Sequence, residues 1–346
     1  MAHAKKHPVR GLVINAVLVA VAFALLGLVI WQSWAQIREV LSHRLDYRLF
    51  LAAQALYLLA LVLTFGRWFL LVRVLEPRFT LRDALLLGFI GNVFNQVIPG
   101  AVGGDFIKAA YLVRMDINRT QAVASMVIDR ILGLLGLFIL AGVAGTVAWP
   151  MATHAVRVLI ILVWVAVACG LVLLWAIFNQ ALTRRYPALL EGHGRFAGIL
   201  RELTVMSKTY RSKLGLIAAL LAASTCIHFL FVTCFFIVSY ALFGKELPGF
   251  GAHVVIVPLI LFSTAVPLPF GALGFSEQVG TQLLALVRHP GGGVAMMAFH
   301  LLMYGGGLVS AAVYLTRLKQ VRELTDTAEE LEEELIEGDL DPSSAS

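Results

Sequence analysis

The sequence predicts an all-α polytopic integral membrane protein, on three observations. Of its 346 residues, 60% are hydrophobic and only 14% are charged, against roughly 45–50% and about 25% in soluble globular chains. Apolar runs of roughly 18 residues or more, enough to cross a bilayer, recur along the chain. Those runs are unbroken Leu/Val/Ala stretches without the ~10-residue alternating strands of a membrane barrel. A bilayer core offers no water to free N–H and C=O groups, so only helices or closed barrels cross it.

The elements follow in chain order. Lys5, Lys6 and Arg10 precede an apolar run over 11–31. A signal peptide starts the same way, but its core is only roughly 7–15 residues, and Gln32-Ser33-Trp34 offers no small-x-small cleavage site. The run is therefore expected to be an uncleaved first span with a cytoplasmic N-terminus. Trp31 and Trp34 suit the far interface, and residues 35–48 the outer surface. Residues 50–72 form the second span, with Arg67 and Arg73 near its inner end, where they can snorkel to headgroups. Further spans are expected over 121–149, 156–178, 214–242 and 294–316. Between them, residues 179–213 form a basic loop carrying Arg184, Arg185, Arg195, Arg201, Lys208, Arg211 and Lys213, which places it in the cytoplasm. Arg317, Lys319 and Arg322 put the C-terminal end there too. Residues 1–317 then form one transmembrane domain, and 318–346 an acidic cytoplasmic tail around Glu329, Glu330, Glu332, Glu333 and Glu334.

Two apolar stretches, 85–99 and 254–269, are shorter and run into Pro/Gly. The first has Arg73, Arg78 and Arg82 on one flank and Lys108, Arg114 and Arg119 on the other. Crossing the membrane would put one basic flank outside, so a re-entrant hairpin from the cytoplasm is expected. The charges around the second stretch put both of its flanks outside. About six spans and two re-entrant segments make about eight membrane segments. Non-helical backbone at such depth is tolerated only when buried in protein or lining a wet cavity.

The two breaks resemble each other. Pro99 is followed by Gly100-Ala-Val-Gly103, Gly104 and Asp105; Pro269 is followed by Gly271-Ala-Leu-Gly274 and Glu277. Entry from opposite faces is the pattern of an inverted-topology repeat with half-repeats near 50–149 and 214–316. In such repeats substrate sites form where broken helices meet. The two breaks are accordingly expected to line one cavity. Glycine permits positive φ and close approach, and proline frees a carbonyl one turn back. Broken helix ends present unpaired amides that favour anions.

Asp105 and Lys108, three apart, share a helix face and either pair or meet headgroup charges. Asp129-Arg130 is costly in an apolar helix, and reads either as a functional site or as an interfacial ion pair. Glu277 carries a proton or caps a helix. Asn92 and Asn95 bind substrate or hydrogen-bond between helices. His228 and His300 read as satisfied structural histidines rather than proton relays, and Gly305-Gly306-Gly307 as a close-packing patch. Cys169, Cys226 and Cys234 all fall in apolar segments and read as small buried hydrophobes; no Cys/His spacing points to a metal. The net charge of +6 sits at span ends, where it reports topology and lipid headgroups rather than nucleic acid. The chain lacks G-x-S-x-G, a phosphate-binding G-x-x-x-x-G-K-[ST] loop and HExxH, so no enzyme activity and no cofactor are expected.

With Arg67-Trp68, Asn92, Asn95, Pro99, Gly103-Gly104-Asp105, Lys108, Asp129-Arg130, Pro269, Gly271, Gly274 and Glu277, the chain resembles the lysylphosphatidylglycerol synthase transmembrane family, a flippase-like membrane domain. The family commonly has arginine where Lys108 stands and Glu-Arg where Asp129-Arg130 stands; the changes keep charge but alter reach, and an ammonium at 108 does not make the bidentate phosphate contact of a guanidinium. The resemblance implies lipid translocation between leaflets, and the residues of that set from Asn92 to Glu277, without Arg67-Trp68, as its substrate-binding residues. Two-part synthases add a soluble aminoacyl-transferase domain, and the segment after Thr316 is shorter than a domain of roughly 50 residues. The expected function is a bacterial inner-membrane transporter of a phospholipid, hopanoid or glycolipid with an anionic or polar headgroup. The alternative is a non-transporting membrane subunit that anchors or regulates a separately encoded lipid-modifying enzyme. A third is an intramembrane enzyme using Asp105, Asp129 and Glu277.

Overall fold

The computed structural model describes residues 8–42, 46–97, 103–178, 210–266, 268–289 and 291–317. Pro99 and Gly100, most of the basic loop and the acidic tail lie outside the described residues. The elements are α1 (Pro8–Gln32), α2 (Trp34–Ser42), α3 (Tyr47–Val72), α4 (Leu81–Val97), α5 (Gly103–Arg114), α6 (Arg119–Ala148), α7 (His154–Phe178), α8 (Leu214–Phe243), α9 (Phe250–Ser263), α10 (Phe275–Ala285) and α11 (Gly292–Leu315). No strand occurs among the described residues. Five helices, α3, α6, α7, α8 and α11, are long and apolar enough to cross a bilayer, and α1 makes a sixth if counted with α2 across a 71° bend at Ser33.

Local chemistry sets the ends. Asp46 caps α3 by accepting from the Arg48 N–H at 2.9 Å. Thr80 and Asp83 form a reciprocal box at the start of α4: the Asp83 N–H donates to Thr80 Oγ1 at 3.2 Å, and the Thr80 N–H to Asp83 Oδ2 at 3.1 Å. Pro258 lies inside α9 and removes one ladder donor there.

Both Pro/Gly-broken stretches are helical hairpins. In the first, α4 and α5 run back along each other: Tyr111 Oη donates to Asp83 Oδ1 at 3.2 Å, joining the open ends. Gly91 and Gly104 meet backbone to backbone. A Cβ on Gly104 would come within 2.7 Å of Gly91 Cα, so glycine is what allows this crossing. In the second hairpin α9 leads through a turn at Pro269–Ala272 into α10, and the His253 and His289 rings, 5.5 Å apart, close the open ends.

The core is a bundle of α3, α4, α6, α8, α9 and α11. The longest contact runs between α3 and α8, which are antiparallel: Arg67 reaches Ser224, while Tyr57 meets Phe231. Further packing pairs α4 with α11, α9 with α6, α5 with α6 and α10 with α11. Exchanging α3 for α8, α4 for α9, α5 for α10 and α6 for α11 maps these contacts onto themselves. α7 lies outside, on α6, and α1 outside, on α10. The glycines at 305–307 admit side chains from α3 and α4: Gln54 and Tyr57 meet the first two and Gln96 the third.

Candidate functional site

Arg67 lies in the last two turns of α3, in a run otherwise apolar. It does not snorkel to the headgroups as its place near the span end predicts. Its side chain is 5% exposed and binds Asp129 of α6 through two parallel bonds, Nε to Oδ1 and Nη2 to Oδ2, both 3.0 Å. Nη1 donates to Ser224 Oγ of α8 at 2.7 Å. The guanidinium is flanked by Gly133, where a Cβ would sit 3.3 Å from Nη1. A fork-to-fork pair is the geometry in which arginine gains most from a carboxylate. It also answers the cost of a charge at this depth, since buried charges need partners.

The next residue, Arg130, faces another way. Its Nε donates to Asp105 Oδ2 of α5 at 2.6 Å, and Lys108 Nζ donates to Oδ1 of the same carboxylate at 3.2 Å. Lys108 Nζ also stands 5.3 Å from the centre of the Trp68 ring, within cation–π range. Asp129-Arg130 thus ties α6 to two partners: Asp129 to α3, and through it α8; Arg130 to the first hairpin. Asp105 and Lys108 are buried, whereas the Arg130 side chain is 42% exposed.

The asparagines serve helix contacts. Asn95 Oδ1 accepts from the Gly104 N–H at 2.9 Å, joining α4 to the first turn of α5. Asn92 Nδ2 donates to Ser310 Oγ of α11 at 3.0 Å. Gly103 opens α5, and Pro99 lies outside the described residues.

The second break is built differently. Phe270, Gly271, Ala272 and Gly274 all have positive φ, from 58° to 81°. For Phe270 and Ala272 this conformation costs on the order of 1 kcal/mol each. Donors from α11 hold the turn: His300 Nε2 lies 3.1 Å from the Gly271 carbonyl, and Tyr304 Oη donates to the Phe270 carbonyl at 3.2 Å. Glu277 is fully buried; its Oε2 accepts from the Gly274 N–H at 2.7 Å, and its Oε1 is 2.7 Å from His300 Nδ1. Gly274 abuts α1, where a Cβ would lie 2.6 Å from the Ala22 carbonyl oxygen. Pro269 is buried within the turn.

A cavity of about 340 Å³ opens among α3, α6, α8, α9 and α11. Its walls are mostly apolar and aromatic, including Tyr57, Phe231 and Phe299, while Arg67 and Arg130 supply its positive charge. Thr264 and Ala265, at the start of the second break, also line it, as does Met303. Met303 links the two hairpins. Its carbonyl accepts from Gln96 Nε2 at the end of α4 at 3.1 Å, and its methyl would lie 3.0 Å from a Cβ on Gly271. Asp105, Asp129, Gly274 and Glu277 are not on the cavity wall. Of the residues expected from sequence only Arg130 lines it, and the far side of the second break faces α1 instead.

A family model described as the lysylphosphatidylglycerol synthase TM region matches residues 15–311, from within α1 to within α11. The chain belongs to that family. No curated protein and no solved structure matches it. Membership and the long apolar helices make it a multi-pass membrane protein of a lipid-related family. Arg67, Ser224 and the Tyr57 wall were not singled out as a site by sequence. The available signal was that Gln54, Tyr57, Thr64 and Arg67 fall on one broad face of α3.

Proposed function

We propose that this member of the lysylphosphatidylglycerol synthase TM region family moves a lipid with an anionic or polar headgroup between the leaflets of a bacterial inner membrane. We take it to do so without catalysing a reaction. The observation that carries the reading is the cavity that joins apolar walls to the Arg67 and Arg130 guanidiniums. Its volume falls in the range of roughly 300–1,000 Å³ usual for ligand sites, which suits a headgroup better than a whole lipid. Acyl chains would then lie outside, along the apolar helices.

In this reading the two hairpins are re-entrant and related by an inverted repeat. Antiparallel α3 and α8 support it, as do the contacts that survive exchange of the halves. Both termini are cytoplasmic. Single cysteines near Arg78 and Arg114, in a background without native cysteines, should label from the same side. Labelling from opposite sides would remove the re-entrant arrangement.

Function is tested with purified protein in liposomes, using headgroup-labelled phospholipid and a quencher confined to one leaflet. Wild type should speed exchange between leaflets, whereas Asp105→Asn and Arg130→Ala should insert normally and lose that activity. Wild type that binds lipid but never moves it would leave a role in anchoring a lipid-modifying enzyme.

A further inference from the structure

We infer that Glu277 and His300 together hold one exchangeable proton, and that its presence latches the strained turn of the second break. Hydrogen-bond inventory carries the argument. The Gly271 carbonyl can only accept, so the 3.1 Å contact requires a hydrogen on His300 Nε2. The other ring nitrogen, Nδ1, lies 2.7 Å from Glu277 Oε1, and that short contact requires a hydrogen as well. It belongs either to an imidazolium facing a carboxylate or to a carboxylic acid facing a neutral imidazole. Both forms contain the same shared proton, and both leave the buried pair without net charge.

Removing that proton to water leaves a pair of charge −1 and a ring with a single hydrogen. That hydrogen can serve the carboxylate or the Gly271 carbonyl, but not both. The fully buried carboxylate is the stronger acceptor, so the ring turns its hydrogen to Glu277 and points an Nε2 lone pair at the carbonyl. The left-handed turn then loses one of its two α11 donors, keeping only Tyr304.

The groups around the pair come from every element packed on α10 and α11. α9 carries no charged side chain, and its His253 faces His289 at the open end of the hairpin, while α3 and α8 meet α11 through Tyr57 and Phe235 against Phe299. α10 supplies Ser276, whose Oγ lies 3.3 Å from Glu277 Oε2. α11 supplies Tyr304, its ring stacked on His300 at 5.7 Å. α1 presents apolar residues, with Phe23 against Phe270 at 6.0 Å. α4 brings the uncharged amide of Gln96 to the Met303 carbonyl. The residues just before the turn, Thr264 and Ala265, form part of the cavity wall, so release of the turn alters that wall. Use of this proton in lipid movement rests on the function proposed above; the latch itself does not.

The test uses the full chain in detergent micelles and reads amide exchange over residues 268–274, corrected for intrinsic rates, from pH 5 to pH 9. Protection in wild type should fall roughly tenfold as pH rises, the loss of about one hydrogen bond's stability. Glu277→Gln keeps every bond without a shared proton. Its amide oxygen accepts from Gly274, and its NH₂ donates to Nδ1 of a neutral His300 that keeps Nε2–H on Gly271. Protection in Glu277→Gln should therefore stay high across the range. ¹⁵N-histidine spectra of wild type give an independent readout, in which the His300 resonance, assigned by its loss in His300→Gln, should titrate together with the exchange. Equal pH dependence of protection in wild type and Glu277→Gln, or a His300 signal that does not titrate with it, overturns the latch. A switching turn in protein that moves no lipid would uphold the latch and refute the transport reading.

Discussion

Arg67→Met gives the sharpest test of how the bundle holds its charges. Methionine keeps much of the stem volume but removes all three donors that reach Asp129 and Ser224. Ser224 loses little, because its hydroxyl still donates to the Leu220 carbonyl at 2.9 Å. Asp129 loses both bonds of its carboxylate to Arg67 while its side chain is only 16% exposed. Breaking a buried pair from one side costs roughly 3–5 kcal/mol, because an uncompensated charge remains. The partial exposure of Asp129 argues for the low end, about 3 kcal/mol. Removing both charges in Arg67→Met/Asp129→Leu should recover most of that loss, with a coupling of about 2 kcal/mol between the sites. Arg67→Lys should fall between wild type and Arg67→Met, since an ammonium cannot make the two parallel bonds. The assay is reversible unfolding in mixed micelles with increasing SDS, followed by helical circular dichroism. A cost below about 1 kcal/mol for Arg67→Met, or a double variant that costs the sum of the two singles, would refute the reasoning.

Four further outcomes follow from other parts of the molecule. Gly104→Ala should cost about 1–3 kcal/mol, because the new Cβ meets the Gly91 backbone, which cannot rotate away. By contrast Gly66→Ala, with nothing within 4 Å, should gain about 0.5–1 kcal/mol in the same unfolding assay. Gly274→Val should injure the docking of α1 rather than the cavity, so cross-linking between α1 and α10 should fall before headgroup binding does; the reverse order would place Gly274 at the site. On the exposed link between α3 and α4, the Arg78 guanidinium and N–H hold the Glu76 carboxyl below its usual range. A depressed carboxyl stabilises its loop above the unfolded value, and that contribution is lost as pH falls through the folded value. Carboxyl NMR should therefore find Glu76 titrating below the ordinary glutamate value and returning to it in Arg78→Ala.

Hydropathy and charge placement by themselves determined the helical class, the long apolar helices and the two broken segments; the family resemblance came from motif residues such as Gly103-Gly104-Asp105 and Asp129-Arg130. Hydropathy and charge suffice for the helices because a bilayer imposes one requirement along the whole chain: long apolar runs with satisfied backbones and basic ends. The Gly-Gly-Asp block was legible for a related reason. Glycine beside a charge in an apolar run is costly unless a close approach or a partner explains it, and Gly91 and Arg130 provide them. Partner choice was not legible. Asp129 and Arg130 are neighbours in sequence, yet successive helical positions point about 100° apart. Only packing sends one to α3 and the other to α5. Arg67 looked like a snorkelling end residue because its position along the span says nothing of which face meets α6. The cavity also had no local signature, since its walls come from α3, α6, α8, α9 and α11, up to about 250 residues apart in the chain. Likewise Glu277 and Gly274 matched Asp105 and Gly103 as a carboxylate and a glycine in similar places. Tertiary contacts gave them a different environment, because α1 covers the second break and His300 closes over its carboxylate.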